Sequence, residues 1–353
     1  MDNLFSIVFQ HLPNPTLIIA SDRTITYANT AAKSVFDSIF IGKDLALTLR
    51  HPEVLNAVDR SIADGTSEEG EFSIPGPLSL VFELHTVPIP DTQSPGSGLS
   101  FVLLSLLDKT KIARAEEMRA DFVANASHEL RSPLTAILGF IETLQGPASN
   151  DATARVRFLG IMDREAERMN RLIDDLLRLS RVEIDEHVRP RGQVDVIACI
   201  RNVFELLEPR AKAKNMSLTL IADHHPGPIN GDSDQLIQVF RNLIENAVHY
   251  GDEGTEVRVV VEERIDRPNI PENGIAVHVQ DKGRGIAKQH IPRLTERFYR
   301  VDGARTRHNS SASISTGLGL AIVKHIVNRH RGRLKIESEV NSGSTFSVFL
   351  PTE

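Results

Sequence analysis

Residues 122–134 read Phe122-Val123-Ala124-Asn125-Ala126-Ser127-His128-Glu129-Leu130-Arg131-Ser132-Pro133-Leu134, and their spacing sets one histidine on a long helix. Outward from this stretch, Leu130, Leu134, Ile137, Ile141 and Leu144 recur by fours and threes, the period of one helix face. A second series, Met162, Ala166, Met169, Ile173 and Leu176, follows the break Gln145-Gly146-Pro147-Ala148-Ser149-Asn150. Two apolar seams joined by a short turn predict an antiparallel helical hairpin over about 109–184. A hairpin alone is thin, so a dimeric four-helix bundle is the expected way to bury the seam. His128 precedes Leu130 by two positions, roughly 200° around the helix, and should face solvent. Ser132 shares its face one turn along, and Pro133 removes a backbone donor, which predicts a kink just below the histidine.

The rest of the chain brackets the hairpin with mixed structure. A charged, proline-containing connection runs from Glu183 to Gln193, after which helix and strand patterns alternate over 194–353. Strands are expected at Val257 to Val261, Ala276 to Val279 and Thr345 to Leu350, with helices around 195–214, 234–249 and 318–330. This predicts an α/β sandwich with a mostly antiparallel sheet. On the N-terminal side, residues 1–108 read as short elements with frequent turns. Thr16 to Tyr27 looks like a hairpin, Ala28 to Phe36 has helical spacing, and 78–87 and 99–106 read as strands. Pro88-Ile89-Pro90 through Gly98 reads as the loop between them. The fold class expected is therefore multidomain α+β, with domains at 1–108, 109–184 and 194–353, which suits a chain of 353 residues.

Composition excludes some classes of function. A formal net charge of -7 argues against a protein whose main task is gripping nucleic acid phosphates. The single cysteine, Cys199, lies in an apolar helical run and reads as a small buried hydrophobe. There is no basic region followed by an apolar stretch at the start, and no apolar run near the roughly 20 residues that span a bilayer. The expected location is the cytoplasm, with membrane attachment only through spans upstream of Met1.

Any one of 13 histidines is ordinarily a surface residue of no consequence. The whole run from Phe122 to Leu134, however, resembles the phosphoacceptor box of sensor histidine kinases. An ordinary imidazole titrates near about 6.5, so a neutral ring nitrogen is available as a nucleophile near neutral pH. The resemblance implies that His128 takes the phosphoryl group and Glu129 serves as base. It also gives the fourth residue after the histidine, here Ser132, the task of orienting water for dephosphorylating a partner; the family has Thr or Asn there.

Further motifs follow in order. Arg241-Asn242-Leu243-Ile244-Glu245-Asn246-Ala247-Val248-His249-Tyr250 puts Asn242 and Asn246 on one helix face. Asp281-Lys282-Gly283-Arg284-Gly285 follows a strand and, alone, is often only a tight turn. Thr316-Gly317-Leu318-Gly319 leads a glycine-rich turn into a helix N-terminus, where free amides suit phosphate oxygens. Arg297 to Asp302 and Gly343-Ser344-Thr345-Phe346 complete the set. Together they resemble the ATP-binding domain that histidine kinases share with type II topoisomerases, mismatch-repair ATPases and large heat-shock chaperones. The likeness covers about 109–353 and is nearest to phosphate-regulon-type sensor kinases.

That resemblance implies ATP and Mg2+ as cofactors, with Asn246 as the metal ligand. Asn242, His249, Tyr250, Asp281, Gly283, Gly285, Arg300, Thr316, Gly317, Leu318 and Gly319 would bind nucleotide. Asp281 would accept from the adenine amino group, Arg300 would reach the γ-phosphate, and 303–315 would be a mobile lid. Two positions depart from the family: His249 stands where Lys is common, and Ser315 where a further glycine is. Asn242 occupies the place of the water-activating glutamate of the hydrolytic relatives. Residues 1–108 resemble a PAS sensor domain, mainly through Leu17 to Ala20 and Tyr27-Ala28-Asn29, and no cofactor is expected there. The partners implied are a response-regulator receiver domain and a second copy of the chain. A non-catalytic relay scaffold and a hydrolytic ATPase are the competing readings.

Overall fold

The computed structural model describes residues 7–36, 39, 41–76, 79–90, 99–222, 226–263, 274–301 and 316–352. Two units result, Met1–Ala124 and Asn125–Glu353. In the first, β1 (Thr16–Ala20) and β2 (Ile25–Ala28) form the expected hairpin. Arg23 takes a positive φ of 69° in the turn, and the Asp22 carboxylate accepts the Thr24 amide at 3.0 Å. Asn29 caps α1 (Thr30–Val35), its buried side chain accepting the amides of Ala32 and Thr16. Pattern reading passed over α2 (Pro52–Asp64), although proline at its start and Gly65 in the left-handed region past its end are helix punctuation.

β3 (Glu69–Ile74), β4 (Leu80–Pro90) and β5 (Leu99–Asp108) complete an antiparallel sheet in the order β2-β1-β5-β4-β3. Leu17 and Ile19, Phe82 and Leu84, and Leu104 and Leu106 alternate along three of its strands and are at most 1% exposed. Pro88-Ile89-Pro90, expected as loop, continues β4 instead. Pairing with β3 ends at Glu69–His85, so beyond that point only β5 flanks β4 and missing amides are tolerated on an edge. The rest of the expected loop, 91–98, lies outside the described residues.

The helical hairpin consists of α3 (Thr110–Gln145), which begins in the first unit and continues into the second, and α4 (Ala152–Ile184). The Asp151 carboxylate caps α4 by accepting the Ala154 amide at 2.9 Å. Stacked rings of Phe140 and Phe158, 5.1 Å apart, and an ion pair between Glu129 and Arg168 set the antiparallel register. Leu130, Ile137, Ile141, Leu144, Met162, Met169 and Leu176 are half-buried, whereas Ala166, Leu134 and Ile173 remain exposed, the last two at 46% and 41%. α3 runs on through Pro133, whose missing N–H leaves the Glu129 carbonyl without its helical donor.

After α4, β6 (Gly192–Val194) pairs with β8 (Ile229–Gly231) in a small ribbon. The sandwich sets α5 (Val196–Ala213), α6 (Ser233–Tyr250) and α7 (Gly319–Arg329) with a five-stranded sheet. In sheet order its strands are β11 (Arg333–Glu339), β12 (Gly343–Pro351), β10 (Gly274–Asp281), β9 (Glu256–Glu263) and β7 (Ser217–Ala222). All pairs are antiparallel except β7 with β9. Asp195 and Asp232 cap α5 and α6. Cys199 is buried on α5, as its apolar setting predicts. His330, 1% exposed, donates from Nδ1 to the Ile326 carbonyl and accepts the Asp232 amide at Nε2, which ties the end of α7 to the start of α6.

Candidate functional site

His128 is exposed on α3, as its angular offset from the seam predicts. Ser132, one turn along, is exposed too. Glu129 is engaged elsewhere: its Oε2 accepts from Arg168 Nη2 at 3.0 Å, and Arg168 Nη1 stands 3.6 Å from Glu165. Nothing in the phosphoacceptor motif points to Arg168, since the hairpin register alone brings it there.

The sites read from the C-terminal motifs fall into two groups. In one, Asn242, Asn246 and His249 of α6 line a cleft of about 210 Å³ with Thr316 and Gly319 at the start of α7. Asn242 Nδ2 donates to the Gly319 carbonyl at 3.2 Å, joining the two helices at the glycine-rich turn. Gly317 has a φ of +71°, and a Cβ there would lie 2.8 Å from the Phe298 carbonyl carbon, so a side chain would be blocked by both strain and contact. Leu318 is fully buried and anchors the turn. His249 is half-buried, which pushes its imidazole below the usual range, and the nearby Lys214 and Arg284 charges push the same way. Lys214 donates from Nζ to the carbonyls of Val248 and His249 and so caps the end of α6.

The second group surrounds Asp281, the last residue of β10 and 8% exposed. Burial raises its carboxyl to about 6, against hydrogen bonds from Ser344. It is therefore mostly ionised at neutral pH and able to accept from a buried donor. Gly283 bridges to Gly251, and a Cβ on it would come within 2.3 Å of the Tyr250 carbonyl oxygen. Gly285 has a φ of +62°, and its Cβ would meet the Glu339 carbonyl oxygen at 1.9 Å. Backbone packing thus demands both glycines. Arg284 lies over the Tyr250 ring, 5.1 Å from its centre. Gly343 and Ser344 open β12 directly opposite Asp281, which explains the last glycine element. Arg300 is half-buried and is not among the described residues that line the cleft. The expected lid at 303–315, with Ser315, lies outside the described residues.

The opposite wall of the cleft has no motif. It is made by Arg171, Asp174, Asp175 and Arg178, on one face of α4. Thr316 Oγ1 donates to the Asp175 carboxylate at 2.8 Å, and burial raises that carboxyl. Leu172, Leu179 and Val182 of α4 are buried. Farther along, Glu183 pairs with Arg297 at 2.7 Å. Glu186 accepts from Asn328 at 2.9 Å and lies 2.7 Å from His325 Nδ1. These residues are invisible to sequence motifs because helix-on-helix docking alone gathers them.

Chemically, the cleft offers amide side chains, a hydroxyl and a helix N-terminus to an anion, and the second group offers a buried carboxylate to an amino donor. Residues 231–353 match the family model for histidine kinase-, DNA gyrase B-, and HSP90-like ATPases, and residues 118–184 match the His Kinase A (phospho-acceptor) domain. The phosphate regulon sensor protein PhoR of Pseudomonas aeruginosa is 33% identical over 352 residues, covering 97% of this chain and 73% of that protein. The sensor-like histidine kinase SenX3 of Mycolicibacterium smegmatis is 35% identical over 71% of this chain and 62% of its own length. Sensor protein SrrB of Staphylococcus aureus is 32% identical, with 72% and 42% covered.

Proposed function

The chain belongs to the sensor histidine kinases, ATP-dependent protein-histidine kinases of two-component systems, and on that premise we propose that His128 is its phosphoacceptor and the cleft beside α6 its phosphate site. One observation carries this reading: an exposed histidine stands on the helix paired with α4, and α4 itself forms a wall of the cleft. ATP lies with its adenine amino group on Asp281 and its phosphates toward Asn242, Asn246, Thr316 and Gly319. Asn246 offers an amide oxygen on the cleft wall, which together with phosphate oxygens and water suits Mg2+; the ion would neutralise phosphate charge there.

A ring nitrogen of His128 attacks the γ-phosphorus, the bond to the bridging oxygen breaks, and ADP leaves. Glu129 takes the imidazole proton, having exchanged its Arg168 partner for the ring. Arg300 is assigned to the γ-phosphate. The phosphoryl group then passes to an aspartate carboxylate of a response-regulator receiver domain. The Ser132 hydroxyl, exposed on the same face, orients the water that removes it from that aspartate.

Exposed apolar side chains on the hairpin, among them Leu134, Leu138, Leu159 and Leu177, support pairing of two copies into a four-helix bundle. A five-stranded antiparallel sheet with α1 and α2 supports reading 1–108 as a PAS-like sensor segment, ahead of a phosphoacceptor segment at 109–184 and an ATP-binding segment at 194–353. Among the described residues no helix is long and apolar enough to cross a membrane.

Incubation with γ-labelled ATP tests the reading. Acid-labile, base-stable label is expected on the wild type and none on His128→Ala, which should still bind ATP. Steady phosphate release that survives His128→Ala would mean a hydrolytic ATPase, and absence of label and nucleotide binding would mean a scaffold.

A further inference from the structure

Among the described residues four guanidinium groups line the cleft, and they are not equivalent. Arg210 of α5 and Arg241 of α6 both pair with Glu245, so a large part of their charge is already matched. His249 on the same wall is driven toward its neutral form by burial. Lys214, beside it, directs its ammonium at two backbone carbonyls and does not line the cleft. Two guanidinium groups thus share one carboxylate, and the described side chains that α5, α6 and α7 contribute to the cleft include no cation free of an ion pair.

Arg171 and Arg178 of α4 differ. Among the described residues neither takes part in an ion pair, although Arg171 Nε donates to the Glu167 carbonyl at 3.3 Å. They stand seven positions apart, two turns along one face, so both present to the same opening. Arg171 is three positions beyond Arg168, the partner of Glu129, and hence about 4.5 Å along the axis from the residue that marks the level of the phosphoacceptor motif. The planar fork of a guanidinium matches two phosphate oxygens at once and holds its charge at any physiological pH.

We propose that Arg171 and Arg178 are nucleotide-binding residues, contacting the polyphosphate of ATP from the α4 wall with guanidinium groups that no ion pair among the described residues engages. Asp175 lies on the same wall. Its carboxylate sits between the two arginines and accepts the Thr316 hydroxyl, occupying an anion position at the start of α7. An incoming phosphate competes for that hydroxyl, and Asp175 yields it as the arginines turn to the nucleotide. ATP binding thus depends on α4 as well as on the sandwich.

The inference rests on the ATP-site assignment above, and its test separates the two. Affinities of the full chain for Mg2+–ATP and for adenosine, the phosphate-free probe, would be measured by calorimetry. Arg171→Ala and Arg178→Ala should each weaken ATP about tenfold, the scale of a charge-assisted contact, with adenosine unchanged. Adding His249→Lys to Arg178→Ala should recover most of the loss, because a cation is returned to the same cleft. Asp281→Asn should weaken ATP and adenosine alike. If Asp281→Asn changes neither, the site assignment itself fails. If it weakens both while the arginine variants bind ATP normally, the arginine proposal is overturned and the site stands. Equal loss of adenosine in the arginine variants, or no recovery from His249→Lys, overturns it as well.

Discussion

The helical hairpin and the C-terminal sandwich use the same apolar residue types to opposite ends. In the sandwich, Phe240, Leu243 and Ile244 of α6 and Val257 and Val259 of β9 are fully buried. On the hairpin, Leu138, Leu159 and Leu177 keep about half their surface, at 52%, 51% and 53% exposure. The sandwich closes on itself, whereas the hairpin is a surface waiting for other surfaces. Part of α4 already has one in α7, and the remainder suits a second copy. Stability therefore resides mainly in the sandwich, while the hairpin keeps apolar surface exposed.

The largest test of this contrast is a pair of truncations. Phe240→Ala should cost the sandwich about 3–5 kcal/mol, the usual range for deleting a buried ring. Leu138→Ala should cost the isolated chain about 0.5 kcal/mol or less while weakening self-association. Denaturant unfolding at several protein concentrations, with sedimentation, would check both. An equal cost at the two positions would break the comparison.

A pH titration gives an intermediate effect confined to the sandwich. In the proposed site the ionised carboxylate of Asp281 is a stronger acceptor for the adenine amino group than the neutral acid. With its carboxyl at about 6, ATP affinity should be full above that value and fall as pH drops through it. Folding stability should have the reverse sign: because folding raises this carboxyl from 3.8, its stability contribution declines as pH rises from 3.8 to about 6. Calorimetric titration with ATP across this window should show the fall, and Asp281→Asn should flatten it.

The smallest expected effect belongs to the hairpin. A Cβ on Gly139 meets nothing within 4 Å, so Gly139→Ala should stabilise α3 by about 0.5–1 kcal/mol through helix propensity alone. A higher melting temperature with unchanged labelling would agree. Destabilisation would show that a second helix already approaches at this point.

Legibility differs between the two regions for a physical reason. Periodic spacing identified α3, α4, α5, α6 and α7, because a helix writes its buried face into the nearest neighbours in sequence. It passed over β7, whose half-exposed residues show no strong alternation and whose parallel partner β9 lies beyond α6. The glycines and Asp281 were legible through the motif's resemblance to the ATP-binding domain, and the structure supplies the reason, since backbone crowding and a buried acceptor restrict residue type at these positions. Arg168, Asp175 and Glu183 were not, since an acidic or basic residue on a helix is chemically ordinary until another helix arrives.

Residue order alone determined the helical hairpin, the solvent-facing histidine and the sandwich motifs, since each depends on contacts a few positions apart or on steric limits at one residue. Only the tertiary structure decided that Glu129 pairs with Arg168, that Asp175 bonds to Thr316, and that α4 walls the cleft. Those outcomes depend on how two separately folded surfaces meet, and that meeting has no local period to leave in the chain.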